Sequence, residues 1–195
     1  VCFMAILSTL GLIILLQFNN FAIMLGATSL ILIAIYPFSK RFTYWPQFIL
    51  GLTFNWGALL GWAAVRGEIQ IPALLLYIGG IFWTLGYDTI YAIQDKNDDA
   101  IIGIKSTALA LGERIHGWLF IFYSLAIFFM GLGGWLIDLS WPFYIGLFGA
   151  ATQAVWQVKQ LIPDSPNDCL AKFRSNRLFS WLFLSGIIMS QIIYN

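Results

Sequence analysis

The chain alternates between long apolar stretches and short polar breaks. A window of about 20 residues, the length of helix that crosses a bilayer, separates seven apolar segments. Residues that end or begin helices, such as Asn19, Asn20 and Pro142, stand between them. Because no repeat or linker divides the pattern, it predicts one all-α domain over 1–195, a polytopic transmembrane helix bundle. The segments run approximately over 1–17, 20–36, 47–65, 71–93, 115–137, 141–161 and 177–194.

Composition supports lipid as part of the solvent. Hydrophobic residues make up 60% of the chain and charged residues only 10%, whereas soluble domains carry about 25% charged residues. The formal net charge of +1 comes without a basic stripe, which argues against a nucleic-acid partner. The two cysteines, Cys2 and Cys169, show neither a disulfide framework nor metal-ligand spacing.

Positive charge is concentrated on one of the two faces that such a bundle would present. Successive connections alternate sides, so those at 37–46, 94–114 and 162–176 share a face. That face holds nine of the ten Lys and Arg residues, and the opposite face holds Arg66. The positive-inside rule places the basic face in the cytoplasm, or in the matrix of a mitochondrion. The nine residues are Lys40, Arg41, Lys96, Lys105, Arg114, Lys159, Lys172, Arg174 and Arg177.

Acidic residues are rare, yet Asp88, Asp95, Asp98 and Asp99 gather at the end of the fourth segment. Helical spacing places Asp95 and Asp99 on one face, with Asp88 two turns earlier on that face. Like charges so spaced repel each other, and an acid at membrane depth is costly, so a divalent cation would stabilise the cluster. Mg²⁺ commonly binds through one or two carboxylates and phosphate oxygens. We therefore expect Asp95 and Asp99 to bind Mg²⁺; the alternative, a solvated loop, applies most to Asp98.

Basic residues converge on the same face from two other positions. Lys40 and Arg41 lie in the second connection, and Lys105 follows Asp99 by six residues. Carboxylates and cations together fit a magnesium-diphosphate group, in which the acids hold the metal and Lys and Arg contact phosphate oxygens. A surface for anionic lipid headgroups would explain the bases but not the acids.

Two stretches of the chain resemble a known family. The run from Tyr87 to Asp99 has the pattern YDxxYAxxDxxxD and continues in GIKST at 103–107. It resembles the second aspartate-rich motif of the UbiA-type prenyltransferases. The stretch YPFSKRFT at 36–43, with Pro46 and Gln47 after it, is similar to a cytoplasmic loop of the same family. Within the superfamily, the chain is most similar to the 4-hydroxybenzoate polyprenyltransferases of ubiquinone biosynthesis, and the similarity covers essentially the whole chain.

The resemblance implies a nine-helix family fold, of which about seven helices are present. Family members carry an earlier motif of the NDxxDxxxD type, whereas this chain contains no Asp before Asp88. We therefore expect a fragment that begins inside the third family helix and lacks the first metal site. Such a fragment would be inactive by itself.

The resemblance also implies the reaction. A polyprenyl diphosphate would be the donor, and 4-hydroxybenzoate would be alkylated at the carbon ortho to its hydroxyl, with Mg²⁺ as cofactor. Asp88 or Asp95 would stabilise the allylic cation or orient the phenol. The implied catalytic residues are Asp88, Asp95 and Asp99, the metal ligands among them are Asp95 and Asp99, and the implied diphosphate ligands are Lys40, Arg41 and Lys105.

Other functions remain open from the sequence. The acceptor of a UbiA-type enzyme can be another aromatic compound. A transporter is an alternative from a different class, and it predicts acids at the bilayer midplane and discontinuous helices. The bacterial inner membrane is the expected location, with the mitochondrial inner membrane as the alternative.

Overall fold

A computed structural model describes residues 2–194, apart from the side chains of Asn97, Asp98 and Tyr194. Within that part of the chain all regular structure is helical, which confirms the predicted membrane bundle. Single 3₁₀ turns lie at Tyr36–Phe38 and Gly112–Arg114. The α-helices are α1 (Cys2–Leu15), α2 (Asn20–Ile35), α3 (Ser39–Phe42), α4 (Pro46–Phe54), α5 (Trp56–Arg66), α6 (Ile71–Gln94), α7 (Lys96–Ile102), α8 (Thr107–Leu111), α9 (Ile115–Leu136), α10 (Trp141–Lys159) and α11 (Pro166–Tyr194).

Each predicted apolar segment contains at least one helix. Five helical stretches of the described chain are long and apolar enough to cross a membrane. The remaining two segments form α1, which is short, and α10, which has 19 residues and several polar ones. The chain is therefore an integral membrane protein. The five stretches are Asn20–Phe42, Pro46–Arg66, Ile71–Gln94, Thr107–Leu136 and Pro166–Ile193.

The third segment, predicted as one helix, is broken at Asn55 into α4 and α5. The Asn55 side chain donates to the Gly51 carbonyl at 2.9 Å and to the Thr84 hydroxyl at 2.8 Å. The Tyr77 hydroxyl donates to the Leu52 carbonyl at 2.9 Å. The Asn55 amide and the Leu52 carbonyl at this break are thus bonded inside the protein, as the absence of water in a bilayer demands.

The seventh segment begins earlier than predicted. Helix α11 starts at Pro166 rather than near position 177, because a hydropathy window detects only the part of a helix that lies in lipid. Lys172 and Arg174 therefore project from a helix and not from a loop. The predicted loop at 94–114 likewise contains α7 and α8.

Helix α6 lies at the centre of the bundle and contacts α4, α5, α9 and α11. Helices α10 and α11 cross closely at the point where Gly146 faces Gly186. A Cβ added at Gly146 would lie 2.5 Å from the Leu182 carbonyl oxygen and 2.8 Å from the Gly186 Cα. Small residues at such a crossing let two helix backbones approach each other in a membrane.

We expect Gly146→Ala to destabilise the bundle by about 1–3 kcal/mol, the usual effect of overpacking a close contact. Backbone atoms must separate, because no flexible side chain can move aside. Thermal unfolding in detergent measures the effect. Gly117→Ala is the matched control, since a Cβ there meets no atom within 4 Å. Equal melting temperatures for the two variants would contradict the proposed crossing.

Candidate functional site

Two connections that are distant in sequence meet at one end of the bundle. The Lys105 backbone N–H donates to the Lys40 carbonyl at 3.0 Å. The Lys105 ammonium donates to the Phe42 carbonyl at 3.4 Å and lies 5.3 Å from the centroid of the Tyr44 ring. The connection between α2 and α4 is therefore joined to the connection between α6 and α9. This contact brings two of the predicted basic residues together.

An acid and a base from these connections form an ion pair. Lys40 Nζ lies 3.8 Å from Asp99 Oδ2. Asp99 is only 5% exposed, whereas the Lys40 side chain is 42% exposed. The Lys40 ammonium is also close enough to act electrostatically on the Asp88 carboxylate near the end of α6. One ammonium group is thus paired with Asp99, lies within electrostatic range of Asp88, and remains partly exposed to solvent.

The third predicted acid, Asp95, lies at the junction between α6 and α7. Its backbone carbonyl accepts the Asp99 N–H at 2.8 Å, so the two acids are separated by one helical turn, as their spacing predicted. Asp95 and Arg41 are both exposed at the rim of the bundle. The Arg41 guanidinium lies 5.9 Å from the centroid of the Phe38 ring. The side chain of Asp98 lies outside the described residues.

Three buried polar residues, not identified as site residues from the sequence, support this arrangement. The Gln47 side chain accepts the Thr107 backbone N–H at 3.2 Å. The hydroxyls of Thr107 and Thr89 lie 2.7 Å apart. Gln47 and Thr89 are polar residues within predicted apolar segments, which was the available signal, but their partner Thr107 lies 60 and 18 residues away in the sequence.

An aromatic wall runs from the site toward the membrane interior. Trp83 lies one turn before Tyr87 on α6, and their ring centroids are 5.1 Å apart. The Trp83 indole stacks on Phe179 at 4.9 Å and donates to the Asn176 side chain at 3.1 Å. Tyr87 also contacts Phe173 of α11, with ring centroids 5.8 Å apart. Helix α11 thereby fixes the rings that lie next to Asp88.

A cavity follows this wall inward between α5, α6 and α11. Its volume is about 320 Å³, and it is lined by residues such as Trp83, Gly80, Asn55 and Phe179. A larger cavity of about 630 Å³ shares Leu76 with it and continues toward the opposite end of the bundle. The lining of the first cavity is predominantly apolar, which suits a hydrophobic chain.

The acids of the site fit a metal that is bound jointly with a ligand. Among the side chains that the structure describes, no three His, Cys, Asp or Glu residues form a group that could hold a metal ion. Asp95 and Asp99 offer two carboxylates, and Lys40 faces one of them. Mg²⁺ commonly takes one or two carboxylates and completes its coordination with water and substrate phosphate oxygens. The donor set therefore suits a metal-diphosphate complex better than a metal held by the protein alone.

Comparisons with known proteins agree with this picture. Residues 1–194 match the family model described as the UbiA prenyltransferase family. The chain is 48% identical over 190 residues to "4-hydroxybenzoate polyprenyltransferase, mitochondrial" of Arabidopsis thaliana, which covers 97% of the chain and 47% of that protein. It is 45% identical over 185 residues to the protein of the same name from Homo sapiens, covering 94% of the chain and 50% of the relative. The chain thus spans about half the length of the curated relatives it matches.

A solved structure shows the same fold. The apo structure of a UbiA homolog from Aeropyrum pernix K1 superposes with a TM-score of 0.78 at 20% identity. The match covers 94% of this chain and 69% of that chain. The similarity of fold therefore extends over nearly the whole chain.

Proposed function

Because the chain belongs to the UbiA prenyltransferase family, we propose that the whole protein transfers a polyprenyl group from polyprenyl diphosphate to 4-hydroxybenzoate in ubiquinone biosynthesis. The chain would contribute a single prenyltransferase domain. The contact that carries the proposal is the 3.8 Å ion pair between Lys40 and Asp99. It places a partly exposed cation beside a buried carboxylate at the end of a membrane bundle. The names of the similar proteins support the choice of acceptor.

In the proposed reaction the allylic C–O bond of the donor breaks, and its electron pair leaves with the diphosphate. The ring carbon ortho to the phenolic hydroxyl forms the new C–C bond, and the proton on that carbon is then lost. Lys40, Arg41 and Lys105 stabilise the negative charge of the departing diphosphate. Mg²⁺ held by Asp95 and Asp99 would supply further neutralisation of that charge.

Asp88 has a different environment from the other two acids. It lies on α6 beside the aromatic wall, and Lys40 acts on it electrostatically. A carboxylate in this position stabilises an adjacent allylic cation or orients the phenol of the acceptor. The rings of Tyr87 and Trp83 exclude water from this side of the site, which protects a cationic intermediate from hydrolysis.

The apolar tail of the donor fits the cavities between α5, α6 and α11. The cavity next to Trp83 has a volume of about 320 Å³, and Leu76 lines both it and the larger cavity of about 630 Å³. Long-chain donors would extend from this space into the bilayer. The proposal thus assigns the charged end of the bundle to the diphosphate and the apolar interior to the isoprenoid.

A transporter remains the alternative from another class, and the break at Asn55 is a feature it predicts. However, the Asn55 amide donates to Gly51 and Thr84, and the Leu52 carbonyl accepts from Tyr77. These polar groups are bonded within the protein and do not face one another across an ion path. The acids instead gather at the end of α6, beside bases. This distribution favours the enzyme.

The proposed location is an inner membrane that carries ubiquinone biosynthesis, with the basic end of the bundle on the cytoplasmic or matrix side. The bacterial inner membrane was the expectation from the sequence. The similar proteins from Arabidopsis thaliana and Homo sapiens are named as mitochondrial enzymes, which favours the mitochondrial inner membrane. Protease accessibility of tags placed in the 37–46 connection tests which side of the membrane the basic end of the bundle faces.

The proposed function is tested by an acceptor panel. The whole protein is reconstituted in liposomes with a radiolabelled polyprenyl diphosphate, Mg²⁺ and one aromatic acceptor at a time. We expect prenylated product with 4-hydroxybenzoate and at most trace product with a naphthoate. Product with another acceptor alone would change the assigned substrate. Ion flux through the liposomes without prenyl transfer would favour a transporter.

A further inference from the structure

Gln47 forms an unusual link between two helix starts. It is the second residue of α4 and only 2% exposed. Its side-chain oxygen accepts the backbone N–H of Thr107, the first residue of α8, at 3.2 Å. The first N–H groups of a helix have no partner within the helix. Ser106 caps α8 from its own chain by accepting the Leu109 N–H at 3.4 Å. Gln47 therefore supplies a second cap from a different helix.

A second contact connects Thr107 to the site through its side chain. Its hydroxyl lies 2.7 Å from that of Thr89, and both residues are fully buried. Thr89 follows Asp88 directly in α6. Two residues before Thr107, the Lys105 N–H donates to the Lys40 carbonyl. The single position Thr107 thus connects α4, α6 and the segment that carries Lys105.

The segment that carries Lys105 has a turn at each end. Gly103 has a φ of 72° and Gly112 a φ of 55°, so both turns use the left-handed region that favours glycine. Between these turns, the hydrogen bond to Gln47 fixes where α8 begins. A side chain without an acceptor at position 47 would leave the buried Thr107 N–H without that bond.

We infer that Gln47 is a positioning residue for the diphosphate site: through Thr107 it fixes Lys105 relative to Lys40. This inference rests on the proposed function, because it assumes that both lysines contact a diphosphate. Its physical reason is that two cations stabilise one anion well only when their separation is fixed before the anion binds. Gln47 itself is only 2% exposed, so we infer that it acts through Thr107.

The test compares three variants of the whole protein. Gln47→Met keeps the length of the side chain and removes the acceptor oxygen. Gln47→Glu keeps an acceptor oxygen at the N-terminus of α8, where an acid is favourable. Gln157→Met is the matched control, because Gln157 is equally buried and bonds to Tyr123 and to the Lys172 carbonyl in the opposite half of the bundle. The measurements are KM for the donor, KM for the acceptor, inhibition by inorganic pyrophosphate and thermal stability.

We expect Gln47→Met to raise the donor KM and the pyrophosphate inhibition constant about tenfold, the scale of one lost buried hydrogen bond. The acceptor KM should not change, and Gln47→Glu should stay within about twofold of wild type. Gln157→Met should lower stability without changing the inhibition constant. The inference is wrong if Gln47→Met only lowers stability, or if Gln47→Glu is as impaired as Gln47→Met.

Direct binding of inorganic pyrophosphate separates this inference from the proposed function. If the whole protein binds pyrophosphate but prenylates no aromatic acceptor, the proposed function fails while weaker binding by Gln47→Met still supports positioning. If the wild type binds no pyrophosphate, the positioning inference is overturned.

Discussion

Asp99→Asn is expected to lower kcat/KM for the polyprenyl diphosphate by about 10²–10³-fold, the scale of removing one group that stabilises developing charge. Asparagine nearly preserves the shape of the side chain, so the bundle should still fold. The substitution removes the charge that faces Lys40 at 3.8 Å and the carboxylate that would hold the metal. Steady-state kinetics on the reconstituted whole protein measure the effect. A fall in kcat, beyond any change in KM, would indicate that Asp99 acts in the transition state.

Asp168→Asn provides the matched control for Asp99. Asp168 is also paired with a lysine, since Lys172 Nζ lies 3.0 Å from its carboxylate, but it belongs to the first turn of α11. We expect this variant to retain rates near those of the wild type. Near-wild-type rates for Asp99→Asn would refute its assignment, as would an equal loss in both variants.

Much of the bundle could be predicted because a bilayer restricts what a chain can do. Spanning helices need about 20 apolar residues, so windows of that length find them. The alternation of connections across the membrane then predicts which loops share a face. The contact between Lys105 and Lys40 joins two connections that this alternation assigns to the same face. The roles of all the predicted site residues remain predictions: Lys40, Arg41, Asp88, Asp95, Asp99 and Lys105.

The features that sequence reasoning missed depend on contacts between distant residues. The break at Asn55 is stabilised by Thr84 of α6 and falls inside the third apolar segment. The early start of α11 lies in a stretch that contains Lys172, whose ammonium lies 4.5 Å from the centroid of the Trp156 ring. Packing against α10 therefore supports a helix where hydropathy indicates a loop. Gln47 and Thr107 lie 60 residues apart, so no local sequence pattern predicts their hydrogen bond.

Removal of divalent metal is expected to reduce prenyl transfer to background, and added Mg²⁺ should restore it. The physical reason is the balance of charge in the site. The two carboxylates partly neutralise the three cations, so without a metal these cations cannot also neutralise a diphosphate. The whole protein is stripped with EDTA, and its rate is measured as Mg²⁺ is added back. In Asp95→Asn, the Mg²⁺ concentration that gives half the maximal rate should rise by about tenfold or more, because one of two protein ligands is lost.

Glu113→Gln is the control for the Mg²⁺ titration. Glu113 is an exposed acid in the same connection, within the 3₁₀ turn Gly112–Arg114, and it lies on the C-terminal side of α8. Removing its charge changes the general electrostatics of this face by the same amount as Asp95→Asn. If both variants shift the Mg²⁺ requirement equally, the effect comes from surface charge, and Asp95 is not a ligand. If full activity persists in EDTA, the diphosphate is neutralised by protein cations without a metal, and the metal site proposed at Asp95 and Asp99 is wrong.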